Sequence, residues 1–171
     1  DDVRRRGLHV VQRGVERGRL ARTGGAGDEQ HALGLREELV EVDLLDVSKW
    51  DIVTQGCEFV VHTACPVPIA NPKDVENKLF KPAIEGTRGV LNSALKNGVK
   101  KVIVTSAFNA LWVGNEYRNI TEDIWAIDGN EDVYNTAKIK QEKLVWEFYE
   151  KNKEKIEITV LCPGLLIGPL L

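Results

Sequence analysis

The chain is poor in cysteine: Cys57, Cys65 and Cys162 are all it carries in 171 residues. Their number is odd, and no spacing among them is CxxC or a zinc pattern. Buried free thiols in a reducing compartment follow, which gives a cytoplasmic expectation. Long apolar runs are also missing. Nothing approaches the ~18 residues of a membrane span, and the start, Asp1-Asp2-Val3-Arg4-Arg5-Arg6, lacks the apolar segment of a secretory signal. The net charge of -3 is too small to favour nucleic acid or a membrane surface. The three histidines, His9, His31 and His62, lie too far apart for a ligand set, so no metal is expected. Asn119-Ile120-Thr121 matches a glycosylation sequon and is read as chance.

What the chain does have is the make-up of a soluble globular protein, with 43% hydrophobic and 29% charged residues. Its length suits one domain with a sizeable core. The make-up is uneven, however. Eight of ten arginines precede residue 37, all thirteen lysines follow residue 48, no asparagine precedes Asn71 and no isoleucine precedes Ile52. Residues 1–40 therefore read as a divergent segment, and 41–171 as the remainder of the domain.

From Leu39 onward, strand and helix patterns alternate. Leu39 to Leu44 alternates apolar and polar, as a strand does. Ser48 is placed to cap a short helix over Trp50, Ile52 and Val53. Cys57 to Ala64 reads as a buried strand stopped by Pro66 and Pro68. A helix over about 74–97 carries the apolar stripe Ile84, Val90, Leu91, Ala94 and Leu95, with Pro82 expected to kink or divide it. Lys101 to Ser106 is a strand. Residues 107–132 form a long irregular segment with Trp112 and Trp125, and such loops are usually functional or disordered. A helix over 132–152 turns Leu144, Val145 and Phe148 inward, and Ile156 to Leu161 is a last strand. Strands separated by helices predict an α/β fold, a doubly wound parallel sheet with helices on both faces. Ligands of such sheets bind beyond the carboxyl ends of the strands. Asp43, Ala64, Ser106 and Pro163 sit at those ends.

Tyr134-Asn135-Thr136-Ala137-Lys138 opens the last helix. A tyrosine four residues ahead of a lysine shares its helix face. An ammonium beside a phenol favours the phenolate, so the pair predicts a lowered tyrosine pKa. Such a phenol can give a proton to a carbonyl oxygen as hydride arrives from a nicotinamide. The competing reading is a solvated helix pair.

These segments, taken in order, resemble the extended short-chain dehydrogenase/reductase family. The segments are Val42 to Asp46, Val61 to Pro66, Lys81 to Thr87, Val104 to Ala107, Thr121 to Trp125, Tyr134 to Lys138 and Cys162 to Pro169. The similarity is to its branch of dihydroflavonol reductases, cinnamoyl-CoA reductases and related NADPH-dependent carbonyl reductases. The resemblance implies a Rossmann-like nucleotide-binding domain, NADPH as cofactor and a small-molecule carbonyl substrate. Tyr134 would be the proton donor, and Lys138 would lower its pKa and hold the nicotinamide ribose. Asp43 and Leu44 would border the adenine. Thr63, Ala64 and Cys65 would line the sugar and phosphate, and Pro163, Gly164, Leu165 and Leu166 would flank the nicotinamide.

The chain departs from that pattern in three places. The family's glycine-rich turn is reduced to Gly7 in one register, with no apolar strand before it. A rival, Thr23-Gly24-Gly25-Ala26-Gly27, follows a poor strand and competes with an ordinary-loop reading; beside it Arg22 could meet a 2′-phosphate. The usual catalytic serine is Ala107; the neighbouring Ser106, which alternation turns away, is the remaining catalytic candidate if irregular backbone at the strand end redirects it, with Thr105 as a substitute. Loss of such a donor costs on the order of 100- to 1000-fold in turnover in other enzymes. Finally, the family's substrate-binding part lies largely beyond Leu171, so the expected fold is incomplete, its first strand and C-terminal substrate region degenerate or missing. A reductase, a catalytically weak or inactive binding module, and, ranked lower, a nucleotide-sugar epimerase or dehydratase are the open readings.

Overall fold

The computed structural model describes residues 8–13, 20–23, 36–68, 72–111, 120–126 and 132–168; before Val40 it describes backbone alone. Gly7, Trp112 and Gly24 to Gly27 lie outside the described residues, as does the side chain of Arg22. Among the described residues, six strands form one sheet in the order β3-β1-β2-β4-β5-β6. They are β1 (Leu8–Arg13), β2 (Leu20–Thr23), β3 (Arg36–Glu41), β4 (Phe59–His62), β5 (Lys101–Thr105) and β6 (Glu157–Leu161). The helices are α1 (Val47–Val53), α2 (Thr87–Lys96) and α3 (Val133–Asn152).

The β2–β4–β5–β6 half is parallel throughout. β1 pairs antiparallel with both β2 and β3, so among the described strands it alone runs against the rest. The parallel expectation is thus met where helical crossovers join the strands and broken at β1. The arginine-rich segment contributes β1 and β2 to the middle of the sheet. β2, expected to be too poor a strand, is held by β1 on one side and β4 on the other.

Local chemistry fixes the element ends. Asp46, not Ser48, caps α1: its carboxylate accepts from Lys49 N (3.2 Å) and from Ser48 Oγ (2.6 Å). A carboxylate satisfies an open N–H and also opposes the positive helix end. In α1, Trp50 and Val53 are buried, whereas Ile52 is 62% exposed. Asp132 caps α3 by accepting from Tyr134 N at 2.8 Å. Pro82 does not end its helix: helical backbone continues across it from Val75 to Lys96. It is flanked by π-helical stretches, Glu76–Phe80 and Pro82–Gly86, which lead into α2. Lys81 N–H donates to Glu76 O, five residues back. Proline lacks an N–H and crowds the carbonyl four residues earlier, and a wider turn relieves both.

The main core lies between the sheet and helices α1, α2 and α3, and includes Val42, Trp50, Val60, Val90, Leu91, Val102, Val104 and Val145. Full burial of each such side chain contributes about 1.5–3 kcal/mol. A polar tie closes α1 on α2. Asp51 accepts from Ser93 Oγ (2.6 Å) and Lys96 Nζ (2.5 Å), and Asn97 Nδ2 donates to Asp51 O and Thr54 Oγ1, both at 2.8 Å.

Gly86 marks the closest approach of this helix to the turn after β3. A methyl there would lie 3.0 Å from Leu44 Cβ and 3.3 Å from Leu44 O. In a helix interior Gly→Ala gains about 1 kcal/mol, but overpacking costs about 1–3 kcal/mol. Gly86→Ala is expected to destabilise, because the obstructing atoms are backbone or fixed to it. Gly89→Ala meets only Val47 Cγ2 at 3.3 Å, the tip of an exposed side chain, and is expected to be neutral or stabilising. Urea unfolding of the two variants checks the difference in sign.

Candidate active site

The carboxyl ends of β2, β4, β5 and β6 lie side by side. The ladders close on Thr23 with His62, His62 with Val104, and Thr105 with Leu161. Beyond them Ser106 N donates to Leu161 O (2.7 Å) and Phe108 N to Pro163 O (2.9 Å), which holds the chain after β5 against the chain after β6. The first two turns of α3 arrive at this edge, because Lys138 Nζ donates to Thr105 O at 3.0 Å.

Tyr134 is half-buried and packs in a small cluster with Leu79, Ala83, Ala137 and Cys65. Its pKa lies above the ordinary tyrosine value, raised by burial, then by the charge of the Cys65 sulfur, then by the Asp132 carboxylate. The expected lowering by Lys138 is therefore corrected: that ammonium is not among the influences on the phenol. It is committed instead to Thr105 O and to Gln141 Oε1, each at 3.0 Å, and is 2% exposed. Lys138 also pulls the Cys65 thiol down, although burial, the larger influence, leaves it raised.

Two buried polar groups join this face of α3, and sequence reasoning passed over both. Gln141 Nε2 donates to Thr87 Oγ1 (2.7 Å), Thr87 Oγ1 donates to Ala83 O (2.7 Å), and His62 Nε2 lies 2.9 Å from Thr87 Oγ1. Glu142, 4% exposed, accepts from Ser106 Oγ, from Trp146 Nε1 (3.3 Å) and from Cys162 Sγ (3.5 Å). The available signal was spacing: positions three and four beyond Lys138 share its helix face.

The structure brings Tyr134, Lys138 and Cys65 together. It directs the Ser106 hydroxyl into Glu142, and Ala107 beside it is half-buried in extended backbone. Thr63 is exposed and Ala64 half-buried at the end of β4, and Pro163 is half-buried after β6. Gly164, Leu165 and Leu166 are exposed, the two leucines at 89% and 81%. Asp43 follows β3, its carboxylate accepting from Leu45 N at 2.8 Å, while Leu44 O accepts from Trp50 Nε1 at 3.2 Å. The backbone of Arg22 pairs with Val10 and Val61. Among the described residues no cluster of three or more His, Cys, Asp or Glu could hold a metal, and no helix is long and apolar enough to cross a membrane.

A family model described as 3-beta hydroxysteroid dehydrogenase/isomerase matches residues 21–169. The chain belongs to that family. The similarity to extended short-chain dehydrogenase/reductases is thereby shown, as is the Rossmann-type α/β fold. Tetraketide alpha-pyrone reductase 1 of Arabidopsis thaliana is 34% identical over 146 residues, covering 80% of this chain and 43% of that protein. A cinnamoyl-CoA reductase of Medicago truncatula is 32% identical over 145 residues, covering 80% and 44%. A yeast methylglyoxal/isovaleraldehyde reductase solved in complex with NADPH superposes with a TM-score of 0.65 and 28% identity, over 74% of this chain and 43% of that one. The chain thus spans under half the length of the curated relatives named here. The family match begins at Ala21 in β2, and not near Gly7.

The Cys162 thiol is pushed up to about 11, by burial first and then by the charge and hydrogen bond of Glu142. Removing that negative charge favours the thiolate. Glu142→Gln is expected to lower the thiol pKa and speed alkylation of Cys162 by iodoacetamide at mildly alkaline pH, roughly ten-fold for each unit lost. Peptide mass spectrometry reads the rate.

Proposed function

We propose that this chain forms the nucleotide-binding and proton-donating part of an NADPH-dependent carbonyl reductase. The observation that carries the reading is the placement of Tyr134 and Lys138, four residues apart at the start of α3, over the carboxyl ends of β4 and β5. The family and its named reductases support it. The substrate class is a small carbonyl compound such as an aldehyde, a ketone or a dihydroflavonol. The three free cysteines fit a reducing, cytoplasmic setting.

The residues present fit the nicotinamide end of the cofactor. A buried ammonium at the strand ends, held by two carbonyl oxygens, is a donor for ribose hydroxyls, and exposed Thr63 with half-buried Ala64 offers an adjoining edge. Pro163, Gly164, Leu165 and Leu166 would flank the same end, and Asp43 with Leu44 the adenine. For the phosphates, Thr23 to Gly27 after β2 is favoured over Gly7, with Arg22 beside it.

When bound, NADPH supplies the hydride that adds to the carbonyl carbon. Tyr134 supplies the proton to the carbonyl oxygen, so the product is the alcohol and the phenol is left as phenolate. Partial burial of that phenol against Leu79, Ala83 and Ala137 raises its pKa. Because its pKa is raised, Tyr134 holds its proton through neutral pH. Lys138 fixes the cofactor ribose and orients it toward that phenol.

One observation favours a second reading, a module that binds cofactor without turnover. Ala107 offers no hydroxyl, and Ser106 spends its own on Glu142. The two readings part on NADPH oxidation at 340 nm with small aldehydes or a dihydroflavonol, run beside NADPH titration by fluorescence. Binding without oxidation selects the second reading. If the first holds, Tyr134→Phe lowers turnover about 10²- to 10⁴-fold, the scale of a lost general acid. An equal rate in that variant would refute the role of the phenol.

The pH profile follows from the same shift. The donor form is the protonated one, and the pKa is raised. Reduction is expected to hold level through neutral pH and to fall only above about pH 10, past the ordinary tyrosine value. A fall below pH 9 that persists in Tyr134→Phe would assign the titration to another group.

A further inference from the structure

An ammonium has three N–H donors and no acceptor. Two of those on Lys138 end on carbonyl oxygens, Thr105 O and Gln141 Oε1. Those two contacts account for two of its three N–H groups, and the Cys65 thiol lies near enough for the ammonium to pull its pKa down. Because lysine only donates, the oxygen of the Gln141 amide must face it. The nitrogen of the same amide then faces Thr87 Oγ1. Thr87 gives its single proton to Ala83 O and keeps its lone pairs for Gln141 and for His62 Nε2, which therefore carries a hydrogen. The amide cannot flip without turning N–H groups against an ammonium. Gln141, Thr87 and His62 are each buried to 1% exposure or less, so no water competes.

We propose that Gln141 is the positioning residue for Lys138, anchored through Thr87 and His62 so that the lysine N–H on the Cys65 side is the one a ribose hydroxyl takes. The inference rests on the reductase reading and adds to it a residue that acts through another. A ribose hydroxyl on that third N–H gains a charge-assisted hydrogen bond, while both carbonyl contacts stay in place.

A packing role for Gln141 makes the opposite prediction. Leucine has a similar volume and should then be tolerated, whereas glutamate would bury a charge and disrupt. A positioning role needs an acceptor oxygen, so glutamate rescues and leucine fails. The parent, Gln141→Leu, Gln141→Glu and Thr87→Val are compared by brief reductive methylation and peptide mass spectrometry. Exposed Lys140 and Lys143 on the same helix serve as references. NADPH titration by fluorescence runs in parallel. In Gln141→Leu, Lys138 methylation is expected to rise about ten-fold relative to the references and NADPH affinity to fall by a similar factor, the scale of one lost buried hydrogen bond to a charge. Gln141→Glu keeps the oxygen that faces Lys138 but loses the amide N–H to Thr87, so it should stay nearer the parent than to Gln141→Leu on both measures. Thr87→Val, which keeps Gln141 but removes its anchor, should fall between.

Lys138 as slow to react in Gln141→Leu as in the parent would overturn the proposal, and so would a glutamate variant that behaves like leucine. Should the leucine variant lose its helical circular dichroism, parent-like protection in Thr87→Val overturns it equally. A parent that fails to bind NADPH defeats the reductase reading alone, since methylation still reports on the lysine.

Discussion

The buried ammonium of Lys138 is the constraint around which the rest is arranged. Removing an ion from water costs several kcal/mol even after the protein relaxes, and an unpaired one would not be tolerated. Here the cost is offset by two hydrogen bonds, to the last carbonyl of β5 and to the amide of Gln141 on α3. Each acceptor sits on a different element. Lys138 can be satisfied only when α3 and the end of β5 are already in register. The charge therefore ties the local order of the crevice to the packing of the whole parallel half.

The same helix face carries a second buried ion site one turn further on. Glu142 gathers a hydroxyl, an indole N–H and a thiol, so that Tyr134, Lys138 and Glu142 follow at four-residue steps along one side of α3. Leu144 and Val145 sit on the apolar side and enter the main core. α3 is thus buried on a polar face and on an apolar one. An ordinary amphipathic helix would have left the polar face in water. That difference separates this face from the solvated helix pair with which the Tyr134–Lys138 motif could be confused.

Much of the fold was legible because its signals are local. Asp132 before an apolar-periodic run, the β-branched centre of Lys101 to Thr105 and the glycine at 98 each act within a turn or a strand, and the elements formed where those residues put them. The capping of α1 was misassigned because Asp46 and Ser48 are both good caps and only geometry chooses between them. Ile52 escaped the core because a seven-residue helix is too short to show which stripe faces inward. The reversed β1 was not legible, since strand direction is decided by partners distant in sequence. In the crevice, spacing identified the tyrosine and the lysine but not where the ammonium goes. Its partners lie on Thr105 and Gln141, and spacing alone cannot tell that a residue four positions away will be outbid as a neighbour.

Pro82 has a consequence beyond sparing one hydrogen bond. A π-helical turn advances each following side chain by about 100° relative to an unbroken α-helix. Leu79 and Ala83, within the widened stretches, meet Tyr134 and Ala137, whereas Val90, Leu91 and Ala94 further along enter the sheet core. One rod of polypeptide therefore serves two separate interiors by changing phase between them. Substitutions along it can be absorbed by size, but a single inserted or deleted residue would rotate one set of contacts away from its cavity while leaving the other aligned.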